Sequence, residues 1–325
     1  MITKQIRFIC AQPATIYFAW QVEVMINNFM TMGINPNNID IVCWKDNDDV
    51  PEIWIKLANH YPARFFFYKD TRKTRHYISS IRPNILKQHW ETYSELKDET
   101  IFYHDCDIIF TKPISQWITS EMINDTNWYG SDTRWYIGHD YILSKGEDVL
   151  NKMCEIVDID KELIKKNELD SIGAQYLMKG INSEYWARVE KDCENLFKEI
   201  TELNNEKIQI DRHTMSEGEA RQPYHPLQIW CADMWAVLWG AWKLGYKTVC
   251  HPNFDFSWGT SSEEEYHKLN IMHNAGVVNS TSGLFHKAEY MNTLPYGVEI
   301  DIKENTASKK YWEWIQKTEK KSVLL

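Results

Sequence analysis

Phe102-Tyr103-His104-Asp105-Cys106-Asp107-Ile108-Ile109-Phe110 sets two carboxylates two residues apart inside an otherwise apolar run. With the residues just before it, the stretch predicts one strand over 100–110. Residues i and i+2 of a strand face the same way, so both carboxylates are expected to converge at the end of a buried strand. Two like charges there would repel each other and lose hydration, and a divalent cation relieves both costs. Oxygen ligands with open coordination positions suit Mg²⁺ or Mn²⁺, which can then hold a diphosphate. The plain alternative is a strand end that turns outward, where both Asp residues meet water. The apolar residues on either side, Ile101 to Tyr103 and Ile108 to Phe110, favour the metal.

Working outward, apolar runs at 6–10, 39–44 and 63–68 read as strands. Helical spacing predicts helices over 16–32, with Gly33 after it, over 51–60, and over 81–93 with Pro83 in its first turn. Short apolar strands alternating with helices predict an α/β fold with a mostly parallel sheet. Ligands of such sheets gather outside the carboxyl ends of the strands. The second half is less regular. Short strands are expected at 128–136 and 141–143, and helices at 147–154 and 185–204. A polar excursion follows over 207–222, then a helix over 227–244 that is apolar nearly all round and so should be buried. After His251 the chain reads as loops, with short apolar pieces at 271–272 and 277–278. No linker separates residues 1–130 from 131–325, which are expected to be two halves of one unit.

At 325 residues the chain exceeds a domain of about 150 residues twofold, which allows one large domain or two intimate halves. Hydrophobic residues at 43% and charged residues at 25% exclude a disordered or collagen-like chain. A net charge of −10 excludes a uniformly basic nucleic-acid coat, though not a local basic patch. The 15 Trp residues suit packing first and stacking on sugars or bases second. Seven Cys, an odd number with no C-x-x-C pair, read as buried free thiols in a reducing compartment. The first twelve residues lack the apolar core and cleavage site of a signal peptide. The weakly charged stretch 226–242 is short for a membrane span and carries Asp233. A cytoplasmic protein that does not enter the membrane is expected.

Asp105-Cys106-Asp107 after an apolar strand resembles the D-x-D motif of nucleotide-sugar glycosyltransferases with the GT-A fold. Gly173-Ala174-Gln175-Tyr176, Trp230-Cys231-Ala232-Asp233-Met234-Trp235 and His273-Asn274-Ala275-Gly276 strengthen the resemblance. Their order and spacing are similar to the plant hydroxyproline arabinosyltransferase and peptidyl-serine galactosyltransferase relatives, and to related small viral and bacterial enzymes. The resemblance covers roughly residues 5 to 300. It implies a Rossmann-like sheet flanked by helices, with residues 1–130 binding the nucleotide sugar and an irregular α/β half, 131–325, taking the acceptor. It further implies Mn²⁺ or Mg²⁺ held by Asp105, Asp107 and a third ligand, His273, between the protein and the donor diphosphate. In that scheme Asp107 is the more direct ligand, and Asp105 ligates the metal or holds the ribose. Gly276 would let a phosphate approach the backbone. Gln175 would approach the donor sugar, its amide giving hydrogen bonds to hydroxyls, and Asp170 or Ser171 would cap a helix in the plain alternative. Lys287, Arg82 and Lys87 are candidates for the diphosphate, and Gln12 and Asp70 for the nucleoside. The plant relatives carry a secretory or membrane anchor that has no counterpart in this sequence, so their secreted acceptors are not carried over.

Two further features stand on the residues alone. Asp233 is the only charged residue in 226–242, and burying an unpaired carboxylate costs several kcal/mol, so it needs a partner or a task. The task would be general base toward an acceptor hydroxyl or clamp on donor-sugar hydroxyls. The partner would be a helix N-terminus or an Arg. Between 69 and 89, six cations (Lys69, Arg72, Lys73, Arg75, Arg82, Lys87) face one acid, Asp70. They suit a donor diphosphate, a polyanionic acceptor such as DNA, or a solvated face.

The first reading is therefore a metal-dependent glycosyltransferase, with a nucleoside-diphosphate (UDP) sugar as donor. The acceptor is a hydroxyl on a hydroxymethylated DNA base, a protein or a glycan. A haloacid-dehalogenase-type phosphatase also uses D-x-D, but near its N-terminus and followed by Gly or Thr, whereas Ile108 and Ile109 follow here. A non-catalytic sugar-nucleotide-binding module is the third reading.

Overall fold

The computed structural model describes residues 6–46, 48–216 and 223–325. The first half alternates as expected: β1 (Ile6–Pro13), α1 (Ile16–Thr31), β2 (Ile39–Trp44), α2 (Glu52–His60), β3 (Arg64–Tyr68), α3 (Ile81–Thr92), β4 (Thr100–Tyr103) and β5 (Ile108–Phe110). Then come α4 (Ser120–Asn124), β6 (Trp128–Asp132), α5 (Arg134–Ile137), α6 (His139–Leu143), α7 (Glu147–Val157), α8 (Lys161–Lys166), β7 (Ile172–Met178) and α9 (Ser183–Ser216). The chain closes with α10 (Ala232–Lys243), β8 (Thr248–Cys250), β9 (Phe256–Trp258), α11 (Glu263–Lys268), β10 (Ile271–His273) and α12 (Ala307–Glu319).

Seven strands form one sheet in the order β3-β2-β1-β4-β7-β6-β8. All run parallel except β7, which is antiparallel to both β4 and β6. This is the mostly parallel, helix-flanked α/β sheet that the alternation predicted. Because β6, β7 and β8 join the same sheet as β1 to β4, the two sequence halves share one sheet. The apolar cores lie on its two faces, with α1, α2 and α12 on one side and α3, α9 and α10 on the other. The strand order reverses between β1 and β4, which opens a crevice at the carboxyl ends of those strands.

The sharpest correction concerns the deciding stretch. It is not one strand. The His104 N–H donates to the Ile9 carbonyl (3.0 Å) as the last bond of the main sheet, and residues 105–107 then turn out of it. β5 pairs instead with β10, in a three-stranded sheet ordered β5-β10-β9. The Asn28 side chain of α1 holds both sides of Phe110, accepting from its N–H (2.8 Å) and donating to its carbonyl (3.0 Å). The carboxylates converge through a turn, not through strand alternation.

Other departures have local causes. Residues 134–136 and 141–143 are helical despite their aromatic and β-branched content, since the Tyr136 and Ile137 N–H groups both donate to the Thr133 carbonyl. The stretch 207–222 is not an excursion throughout. α9 continues to Ser216, anchored by the Lys207–Asp148 ion pair (2.7 Å) and by Asp211, which accepts from the Tyr224 N–H (2.9 Å). Residues 217–222 lie outside the described residues, as do Met1 to Gln5 of the expected leaderless N-terminus. Helix 227–244 is divided into a 3-10 turn, Ile229–Cys231, and the buried α10. All seven Cys are free, six buried and Cys250 half-buried. No helix among the described residues is long and apolar enough to cross a membrane.

A buried polar network fixes α3 over the sheet. Asp40 of β2 accepts from Arg64 (2.7 and 2.5 Å) and lies 3.2 Å from His89 Nε2, while the Tyr68 hydroxyl donates to His89 Nδ1 (2.9 Å). Burial lowers the His89 pKa in spite of Asp40, so His89 is neutral, and α3 is held by hydrogen bonds more than by charge.

Asp192 on α9 offers a pH test of this packing. Burial pushes its pKa up to about 6 from 3.8, against the nearby positive charge of Lys243, Lys191 and Arg188. The folded state therefore favours the protonated form, and the stability this gives is full below pH 4 and lost as pH rises through 6. Asp192→Asn should be more stable than wild type at pH 7 by on the order of 2 kcal/mol, with the gap closing below pH 4. Urea unfolding at both pH values reads this; a gap independent of pH would contradict it.

Candidate active site

The turn 105–107, the end of β10 and the first turn of α3 meet at the β1/β4 crevice. Asp105, Asp107 and His273 each present a ligand atom, all within 4.8 Å of one another. His273 Nε2 lies 3.2 Å from Asp107 Oδ1 and 3.6 Å from Asp105 Oδ2. The backbone locks this geometry, because the Asn274 N–H donates to the Asp107 carbonyl (2.9 Å) and β10 is in register with β5, His273 opposite Ile108. Trp258 lies nearly parallel to the His273 ring (6.0 Å, 18°) and restricts its orientation. Two carboxylates and one imidazole nitrogen aimed at a common point are a donor set that Mn²⁺ or Mg²⁺ accepts. His104, directly before the pair, does not compete: burial lowers its pKa to about 4, and its ring packs between Phe29 and Phe102.

Two cations neutralise the acids. Lys287 pairs with Asp107, and Arg82 bridges Asp105 (2.5 Å) and Asp233. Burial would push the Asp107 carboxyl up, but Lys287 and His273 outweigh it and hold the group well below the usual carboxylate range. Burial would likewise lower the pKa of Arg82 and of Lys287, and the facing carboxylates raise both, so both stay charged. Asp233, in the first turn of α10, thus has its partner in Arg82. It also accepts from the Tyr77 hydroxyl (2.8 Å). Tyr77 sits in a loop that Glu194 of α9 grips, accepting from the N–H of His76 (2.7 Å) and Tyr77 (3.2 Å) and from the Ser80 hydroxyl.

A cavity of about 120 Å³ opens beside these groups. Arg82, Asp105, Asp233 and His273 line it on one side, and Tyr136, Tyr176, Trp230 and Trp258 supply apolar walls. Gln175 is near but differently placed from expectation. It lies on β7, not in a loop or at a helix cap, within a bulge: Gly173 pairs with Ser131 and Tyr176 with Gly130, so Ala174 and Gln175 have no opposite residue. Ala174 takes φ +61° and lines the cavity. Both amide atoms of Gln175 are buried without a hydrogen-bond partner among the described residues, an imbalance that a polar ligand or water would remove. Gly276, at φ +86°, is in the left-handed region that favours glycine, three residues after His273.

Three expected contacts are not brought to this cavity. Gln12 is buried and donates to the Val42 carbonyl (3.1 Å). Asp70 is gripped by Arg72 and Arg75 (2.9 Å each). Lys87 faces Glu190 of α9 (3.3 Å). Of the basic segment, Lys69 also pairs, with Asp48. Asp70 of the segment itself holds Arg72 and Arg75, while Lys69, Arg82 and Lys87 meet acids from elsewhere in the chain. Tyr77, Glu194, Tyr136 and Trp258 carried no signal in the sequence, since only the folded chain brings them to the carboxylates.

Arg82→Met would leave Asp105 and Asp233 facing each other without a cation. It should lower the free energy of unfolding by about 2 kcal/mol, and adding Asp233→Asn should recover part of the loss. A double-mutant cycle in urea measures both; a coupling near zero would contradict the bridging role.

No protein-family profile matches the chain, and a comparison with curated proteins found none that matches. Among solved structures it is similar to the apo bifunctional glycosyltransferase WbbM, at 9% identity and TM-score 0.48 over 97% of this chain. The chain spans about half the length of WbbM, covering 50% of it. It is also similar to the galactosyltransferase LgtC in complex with donor and acceptor sugar analogues, at 10% identity and TM-score 0.42, with 95% of each chain covered. A third likeness is to a glycosyltransferase involved in glycosylation of the major capsid of PBCV-1, at 12% identity and TM-score 0.37, covering 87% of this chain and 95% of that one. Each of these three solved structures is described as a glycosyltransferase.

Proposed function

We propose that the protein is a metal-dependent glycosyltransferase that moves a sugar from a nucleoside-diphosphate donor to an acceptor hydroxyl. The observation that carries this reading is the convergence of Asp105, Asp107 and His273 at the sheet crevice, with Lys287 and Arg82 alongside. Carboxylates and an imidazole suit a divalent cation, and the two cationic side chains suit the phosphates such a cation would accompany. When bound, the metal supplies positive charge that stabilises the diphosphate leaving group.

The chain's own residues take the remaining tasks. Lys287 and Arg82 are charged and poised to exchange their carboxylate partners for phosphate oxygens. Asp233, paired with Arg82 and oriented by Tyr77, steadies donor-sugar hydroxyls or accepts the acceptor's proton. Gln175 offers its unpaired amide to the sugar. Tyr136, Tyr176 and Trp258 exclude water from the cavity, which strengthens every polar contact inside it. UDP is the proposed nucleotide and Mn²⁺ the proposed metal. Residues 1–130 are the proposed donor half, and 131–325 the proposed acceptor half. The D-x-D turn follows the fourth strand, not the first, which disfavours the haloacid-dehalogenase reading.

Incubation with a panel of nucleotide sugars should give slow Mn²⁺-dependent hydrolysis of one donor. Asp107→Ala should reduce it by at least about 100-fold, the size expected when charge stabilisation of a leaving group is removed. Hydrolysis of no donor, or hydrolysis unaffected by chelator and by Asp107→Ala, would contradict the proposal.

A further inference from the structure

All 15 tryptophans lie among the described residues, and only two are exposed: Trp135 (65%) and Trp230 (56%). Trp230 lines the cavity, and Trp135 packs against two rings of its wall and lines a shallow groove. Trp230 lies nearly parallel to Tyr136 (6.4 Å, 17°). Trp135 meets Tyr136 (4.5 Å, 65°) and Trp258 (6.1 Å, 70°), both edge-on. Four rings therefore run from the cavity outward to Trp135. Large rings left in water on a chain that buries most of its Trp mark a binding surface.

Beyond Trp135 a shallow groove continues, lined by Asp132, Arg134, Asp140, Tyr141, Glu168 and Leu169. Its one cation, Arg134, is paired with Asp132 (2.5 Å). The groove thus carries net negative charge. A phosphate-rich acceptor needs the opposite, and the basic segment 69–89 has most of its cations in ion pairs. The groove is built by the end of β6, α5, α6 and the turn at 168–170, so helices and a turn, not a row of open strand backbone, form most of it. What it does offer is apolar ring faces beside hydrogen-bond-accepting carboxylates. An uncharged polyol with one apolar face and many O–H donors complements both.

We infer that the acceptor is a neutral carbohydrate chain, which lies over Trp135 and Trp230 and follows the acidic groove away from the cavity. The word acceptor rests on the transferase reading; the carbohydrate surface does not.

Isothermal titration of the wild-type protein, without metal or donor, would use three probes. These are neutral oligosaccharides of glucose, galactose, mannose and N-acetylglucosamine, a hydroxyproline- and serine-bearing peptide, and a hydroxymethylated DNA duplex. An oligosaccharide should bind, Trp135→Ala should weaken it at least about tenfold, and Trp135→Tyr should restore part of the affinity. Because Trp135 is exposed, its truncation leaves the core intact, and the thermal midpoint checks this. The inference is overturned if no oligosaccharide binds, if Trp135→Ala leaves the affinity unchanged, or if only the peptide or the DNA binds. Carbohydrate binding with no donor turnover would keep the surface and remove the transferase; donor turnover with no carbohydrate binding would do the reverse.

Discussion

Two carboxylates two residues apart, at the edge of an apolar core, cannot stand without positive charge. The arrangement around Asp105 and Asp107 answers that constraint. Lys287 and His273 come to Asp107 from the C-terminal region, and Arg82 comes to Asp105 from the first turn of α3. Arg82 then reaches on to Asp233 at the start of α10, so one guanidinium ties the two sequence halves together. Each of these groups must be placed to within a hydrogen bond. The buried scaffolding follows from that need: Asp40 and His89 fix α3, Asn28 fixes β5, and Glu194 fixes the loop of Tyr77.

The scaffold is also what makes the site changeable. Charge-assisted bonds between side chains are made and broken without disturbing the sheet. Lys287 and Arg82 neutralise the acids here, and a divalent cation with its phosphates would take over that duty. The bulge at Ala174 and Gln175 belongs to the same logic. A residue at positive φ and an amide with no partner are local costs of order 1–3 kcal/mol that a plain strand would avoid. Ala174 lines the cavity, and Gln175 is its neighbour in the chain.

Much of the fold was legible in the sequence. Strands β1 to β3 and helices α1 to α3 were marked by period and by boundary residues, and their bounds differ from the structure by a residue or two at most, except at the longer β1. The pairing of β5 with β10 was not legible, because apolar residues on both sides of Asp105 and Asp107 look the same whether the chain continues or turns. Asp105 and Asp107 do converge, but by another geometry than the expected one: a strand was expected, and a turn brings them together. Asp105, Asp107, His273, Arg82, Lys287 and Asp233 were all visible as charged residues in apolar or glycine-marked surroundings. Gln12 and Asp70 were marked only by following a strand, and Lys87 by its place in a basic helix, and the structure gives them partners elsewhere. Exposure is the property sequence hides best: nothing distinguishes Trp135 and Trp230 from the buried rings of Trp235 and Trp239 until the chain is folded.

The central claim is that Asp105, Asp107 and His273 share one divalent cation. Pulsed electron paramagnetic resonance of Mn²⁺ added with UDP tests it most directly, since it detects a nitrogen ligand independently of turnover. The account predicts a bound Mn²⁺ coupled to one imidazole nitrogen, with the coupling lost in His273→Gln and the binding itself lost in Asp107→Ala. Mn²⁺ bound with no nitrogen coupling in the wild type, or bound equally well by Asp107→Ala, would contradict it.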